Sequence, residues 1–163
     1  MFIYLPVLSV LATLLIFRSR GIDYRAVAIG SLLPFVIDTF FGEQKLGHSF
    51  FLPCILLAVI MLATMKTSRL FRRRILCFVV GMFWAFVFEG TFRYSSVWFW
   101  PIKAGNTQHI DLLPSLNIML IRDTIGLVAL WILFGLGELY KRENRIEFKK
   151  TGRIVFDESK SDL

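Results

Sequence analysis

Asp38, His48, Glu89, Arg122 and Asp123 bring acid–base, metal-binding and oxyanion-binding groups into stretches that are otherwise apolar. Asp38 and His48 flank a short polar connection in "LLPFVIDTFFGEQKLGHSFFLP" (residues 32–53), ten residues apart. Carboxylate oxygens and a neutral imidazole nitrogen suit a hard or borderline divalent cation such as zinc or manganese. With Asp38, His48 and Glu89 as ligands, a metal-activated water becomes a nucleophile at neutral pH, and Arg122, with Asp123 beside it, steadies a phosphate or other oxyanion. The same groups also fit an ion-pair network between helices, in which Arg122 neutralises Asp38 or Glu89, or Glu89 pairs with Arg93 one turn on. His48 taken alone reads as an interfacial residue with a wet imidazole.

The elements that hold these groups are greasy. The chain has 163 residues, 56% hydrophobic and 15% aromatic, with 17 Phe and a mean hydropathy of +0.64, outside the usual range of a soluble domain. A membrane span needs roughly 17 to 25 mostly apolar residues. Five segments qualify or come close, at about residues 2–17, 26–41, 50–65, 75–92 and 115–136. The expectation is an all-α, polytopic membrane helix bundle over 1–137 with a basic cytoplasmic tail over 138–163. The first segment has no basic residue ahead of it, "RSR" behind it and no A-x-A-like site, so it reads as a retained anchor.

Basic residues orient the bundle, because short cytoplasmic loops collect Lys and Arg. Arg18, Arg20 and Arg25 follow the first segment, and Lys66, Arg69, Arg72, Arg73 and Arg74 follow the third. The other two connections hold only Lys45 in one, and Arg93 and Lys103 in the other. The N-terminus is therefore expected outside and the C-terminus inside. The second segment contains Gly30, Ser31, Pro34 and Asp38, yet must cross if both basic clusters are to share a side.

That topology puts Asp38 and Glu89 each about 5 Å below the outer boundary, His48 at the boundary, and Arg122 and Asp123 about 11 Å deep at 1.5 Å per residue. An intramembrane charge costs roughly 2.5 to 3.5 kcal/mol at the centre of a span. Charges from three helices in the outer half predict a polar pocket opening outward, suited to a lipid-linked substrate. A polar path continuing to the inner side would mark a transporter, and the sequence shows none.

Other features point away from soluble chemistry. Cys54 and Cys77 fall near opposite ends of neighbouring segments, too far apart for a disulfide, and read as buried apolar residues. No G-x-S-x-G elbow, Walker loop, dinucleotide fingerprint or paired-Cys motif occurs, and Ser49 cannot easily act as nucleophile to its neighbour His48. "GLVALWILFGLG" reads as close helix packing. Lys141, Arg142, Arg145, Lys149, Lys150, Arg153 and Lys160 lie in the tail, where membrane lipids of an anionic inner leaflet would meet them, and no nucleic-acid module accompanies the net charge of +7. The tail stretch "RIEFKKTGRIVF" alternates enough for a small hairpin and equally fits a disordered segment. In the outer loop, Tyr94, Trp98, Phe99 and Trp100 form an aromatic belt; His109 and Asp111 would add ligands or touch substrate, unless Asp111 caps the helix opening near Pro114.

"GSLLPFVID", "GHSF" opening the next span, "RRRILCFVVGMFWAFVFEG", "VWFWP" and an intramembrane "IRD" together resemble the bacterial membrane-bound metal-dependent hydrolases of the inner membrane. The resemblance covers roughly residues 25–136 and rests on order, spacing and hydropathy. It implies a helical phosphodiester hydrolase, distantly similar to zinc-dependent phospholipase C and P1 nuclease, with Asp38, His48 and Glu89 at ligand positions. Two positions depart from the family pattern: Phe35 stands where an acid follows Pro34, and Ala85 where a His precedes Glu89. A relative that binds partners or lipid head groups without catalysis is the competing expectation.

Overall fold

The computed structural model describes residues 3–17, 19, 21–41, 47–66, 68–102 and 115–154. They form α1 (Tyr4–Phe17), α2 (Tyr24–Phe41), α3 (Phe51–Ala63), α4 (Arg69–Glu89), α5 (Ser95–Trp98), α6 (Leu116–Leu136) and α7 (Arg142–Thr151), with a 3-10 turn at Thr91–Arg93. There is no strand among the described residues, so the fold is all-helical. Each of the five expected segments coincides with a helix. The largest difference is α4, which starts within the arginine cluster because Arg is a good helix former and its side chain stays in solvent there. Gly90, with φ 71°, ends that helix in the left-handed conformation, its N–H donating to Phe86 O at 3.1 Å.

By length and composition alone, α6 is the one described helix apolar and long enough to cross a membrane, while α1 and α3 are apolar but shorter. The arginines of α4 and the Pro34 and Asp38 of α2 break up otherwise apolar helices.

α2 and α4 form the central pair, with α1 packed on both, α3 on α4 and α6 on α1. The pair keeps one register along its length: Asp23 lies by Arg74, Gly30 and Gly81 meet in the middle, and Asp38 and Glu89 face one another across His48. The same number of residues separates the members of each couple. The glycines set the spacing. A Cβ at Gly30 would collide with the carbonyl of Phe78, and one at Gly81 with that of Val27. Two backbones approach this closely only where small residues face each other. Gly81→Val is therefore expected to lower stability by about 1 to 3 kcal/mol, the usual cost of overpacking, read as a fall in the thermal midpoint of the purified protein.

A buried cluster at the end of the bundle away from His48 draws Val10 and Leu14 from α1, Tyr24 and Val27 from α2, Cys77 from α4, Leu133 from α6 and Ile154 from beyond α7. The segment after Gly137 is thus neither a hairpin nor a detached tail over its described part. Its expected two-residue alternation gives way to a helix that turns Asn144, Phe148 and Thr151 inward and stops at Gly152, whose φ is 71°. Both cysteines are free, Cys77 buried and Cys54 half-buried.

Candidate functional site

Asp38 occupies the last turn of α2, one turn beyond Pro34, and Glu89 is the final residue of α4. Between them the connection Gly47–Phe50 brings His48 inward. The three side chains are deeply buried, at 8%, 5% and 3% exposure for Asp38, Glu89 and His48. Nδ1 of His48 lies 2.5 Å from Asp38 Oδ2, and Nε2 lies 2.8 Å from Glu89 Oε2. The imidazole therefore bridges two carboxylates on opposite edges of its ring.

Gly47 makes the Asp38 side possible. Its N–H donates to Asp38 Oδ1 at 2.6 Å, and a Cβ there would strike both the Asp38 carboxylate and the carbonyl of Pro34. Both Asp38 oxygens are thereby engaged. The Glu89 side is less complete: its approach to Nε2 is a charge contact without the alignment of a hydrogen bond, and neither Glu89 oxygen has a hydrogen-bond partner among the described residues.

Aromatic rings close around the imidazole. Phe35 meets it edge-on at 5.5 Å between centroids, and Phe86 lies at 6.3 Å. Ser49 Oγ donates to Trp100 O at 2.5 Å, and the Phe50 N–H donates to Trp98 O at 3.1 Å, so the segment around α5 is stitched to the connection carrying His48. Phe50 stacks on Trp98 at 5.1 Å. Ala85, one turn before Glu89, is fully buried.

Burial alone would lower the pKa of His48, since a desolvated charge is costly, but the flanking Asp38 and Glu89 outweigh it and push the imidazole up to about 9. His48 is an imidazolium at neutral pH, donating to Asp38 from Nδ1 and facing Glu89 with Nε2.

The structure thus unites Asp38, His48 and Glu89, while Arg122 and Asp123 are positioned by α1. The Arg122 guanidinium lies over the Tyr4 ring at 5.8 Å, and Asp123 Oδ1 accepts the Tyr4 N–H at 3.4 Å. α6 packs along α1, with the Tyr4 backbone where a Cβ of Gly126 would sit. His48 is the charge partner of Asp38 and Glu89, the place that the ion-pair alternative gives to Arg122 or Arg93, and Arg93 is exposed in the turn after α4. His109 and Asp111 lie outside the described residues. The expected set missed Gly47, Phe35 as a ring contact and the Ser49–Trp100 link; only the glycine in "LGHS" hinted at a close backbone approach.

Among the described residues no three His, Cys, Asp or Glu groups are arranged to hold a metal ion. The reason is directional: the two carboxylates sit beyond different ring nitrogens, so the three donors do not converge on one point. Fold and site together define an all-helical protein with a buried carboxylate–imidazole–carboxylate bridge. No protein-family model, curated protein or solved structure matches the chain.

Proposed function

We propose that this chain is a multi-helix membrane protein in which the hydrolase-like positions serve as a structural clamp, a non-catalytic relative of the metal-dependent hydrolases it resembles. The supporting observation is that both ring nitrogens of His48 are occupied by carboxylates. An imidazolium held on both sides offers no lone pair to a metal and no base to a substrate. It does join the outer ends of α2 and α4 to the outer loop, which suits a protein that binds lipid head groups or partners rather than turning over a substrate.

The membrane reading draws on the outer surface. Leu120, Ile121, Val128 and Trp131 on α6, and Ile55 and Leu62 on α3, are large apolar side chains exposed on the bundle, far more than single scattered residues would explain. Helices shorter than the hydrocarbon thickness are accommodated by local thinning and by basic residues that snorkel to the interface. The family resemblance would place such a protein in a bacterial inner membrane.

A second reading, the metal-dependent hydrolysis of lipid-linked or envelope phosphoesters, is favoured by the two Glu89 oxygens that lack hydrogen-bond partners. The residues do not fit the three-ligand centre expected for Asp38, His48 and Glu89. They leave at most a pair, Glu89 with His48, and Asp38 would then orient the imidazole from behind. Metal analysis separates the two readings. Native protein, Asp38→Ala and His48→Ala are all expected to carry the same negligible zinc and manganese after purification. Stoichiometric metal in the native protein that disappears in His48→Ala would overturn the clamp and restore the hydrolase.

A further inference from the structure

At the end of the bundle away from His48, the C-terminal segment is fastened to the start of α2. The Tyr24 N–H donates to Gly152 O at 2.9 Å, Arg25 Nη1 donates to Lys149 O at 2.7 Å, and Ile154 is buried in the core at 1% exposure. Gly152 lies so close to Asp23 that a Cβ would meet its carboxylate. This fixes the rotation of α7. With Asn144, Phe148 and Thr151 inward, helical periodicity turns Arg142, Arg145, Lys149 and Lys150 outward, all exposed, with Ile146 among them. Glu143 and Glu147 stand at the edge of that face and offset only part of its charge.

The start of α4 delivers more cations to the same place. Arg74 Nε is 3.7 Å from Asp23 Oδ2, and the Arg73 guanidinium lies against Gly21. Exposed apolar side chains are interleaved with these charges: Leu70 and Phe71 on α4, Leu136 at the end of α6, Tyr140 just before α7, and Ile146 on α7. A nucleic-acid surface would have little use for exposed Leu, Ile and Phe. A cationic face mixed with apolar and aromatic side chains matches the boundary between acyl chains and head groups.

We infer that docked α7 and the arginine-rich start of α4 form one composite face that binds anionic phospholipid head groups, with Gly152–Ile154 as the anchor that aligns the two. This rests on the membrane reading above. The free basic tail expected from sequence would reach lipid in any conformation, whereas a docked helix presents a fixed set of cations. Each basic side chain near an anionic surface contributes about fivefold to association, so removing two costs about 25-fold.

The test uses the full chain in lipid nanodiscs, with backbone hydrogen exchange of residues 142–154 as the readout. Relative to discs of phosphatidylcholine alone, discs with a third phosphatidylglycerol are expected to slow exchange in α7 about tenfold. The effect should be lost in half-molar salt and in Lys149→Gln/Lys150→Gln, while exchange in α2 and α4 near His48 stays the same. Equal exchange in both lipids, with the protein properly incorporated, would overturn the inference and leave the membrane reading intact. A protein that remains soluble without detergent and never enters the discs would instead overturn the membrane reading. Slowing in neutral discs by inorganic phosphate would reassign the face to a soluble anion, and slowing by a short RNA would reassign it to nucleic acid; either result overturns the lipid assignment.

Discussion

Replacing His48 with Ala is expected to destabilise the protein by about 3 to 5 kcal/mol, the usual cost of removing one partner from a buried charge pair. The loss would be read as a fall of roughly 10 °C in the thermal midpoint, at the few degrees per kcal/mol typical of a chain this size. The reason lies in what is left behind. Asp38 keeps the Gly47 N–H but loses its cation, and Glu89, which has no aligned donor among the described residues, loses the imidazolium that faces it. Two buried carboxylates then stand near each other in an apolar setting of Phe35, Phe86 and Ala85. The triple replacement Asp38→Asn/His48→Gln/Glu89→Gln keeps polar groups of similar size without the charges. It is expected to recover much of the loss, because a neutral cluster escapes the desolvation penalty. A His48→Ala midpoint equal to that of the native protein would show that the bridge clamps nothing.

The placement of that bridge was partly legible in the sequence. Asp38 and Glu89 each sit near the C-terminal end of a segment, two segments apart, and His48 in the turn between, so alternating helix direction alone brings them to one end of the bundle. Their order, with the imidazole between the carboxylates, depends on Gly47 admitting the backbone to Asp38, a contact that hydropathy does not encode. Phe35 shows the limit of reading by family pattern. As a missing ligand it suggests lost chemistry; in the fold its ring packs edge-on against His48.

Arg122 and Asp123 show a different limit. Depth along a helix follows from residue count, but which helices are neighbours does not, and α6 rests on α1 rather than beside Asp38 and Glu89. The tail was misread through its period. Ile146, Phe148 and the residues after them alternate over a short window, whereas helical spacing from Asn144 to Phe148 and Thr151 is what packs inward, and Gly152 supplies the stop that a helix needs.

Stability should fall as the pH rises through about 9, and by an amount that depends on His48. The imidazole has an unfolded pKa near 6.5 and a folded one of about 9, so the folded state holds the proton more tightly. A group of this kind contributes fully below its unfolded pKa, progressively less between the two, and nothing above the folded value. Each unit of separation corresponds to 1.36 kcal/mol, which makes the contribution about 3 kcal/mol at pH 6, vanishing near pH 10. Tyr and Lys side chains also titrate toward that upper limit, so the informative quantity is the difference between native protein and His48→Gln across pH 6 to 10. The native advantage is expected to be largest at pH 6 and to shrink steadily toward pH 10. An advantage that grows with pH would mean that the folded state holds His48 neutral, and with it that one ring nitrogen keeps a lone pair free for a ligand. The sign of this one curve therefore bears on the chemistry as directly as metal analysis does: an imidazolium locked between Asp38 and Glu89 ties helices together, and only a neutral imidazole can coordinate or act as a base.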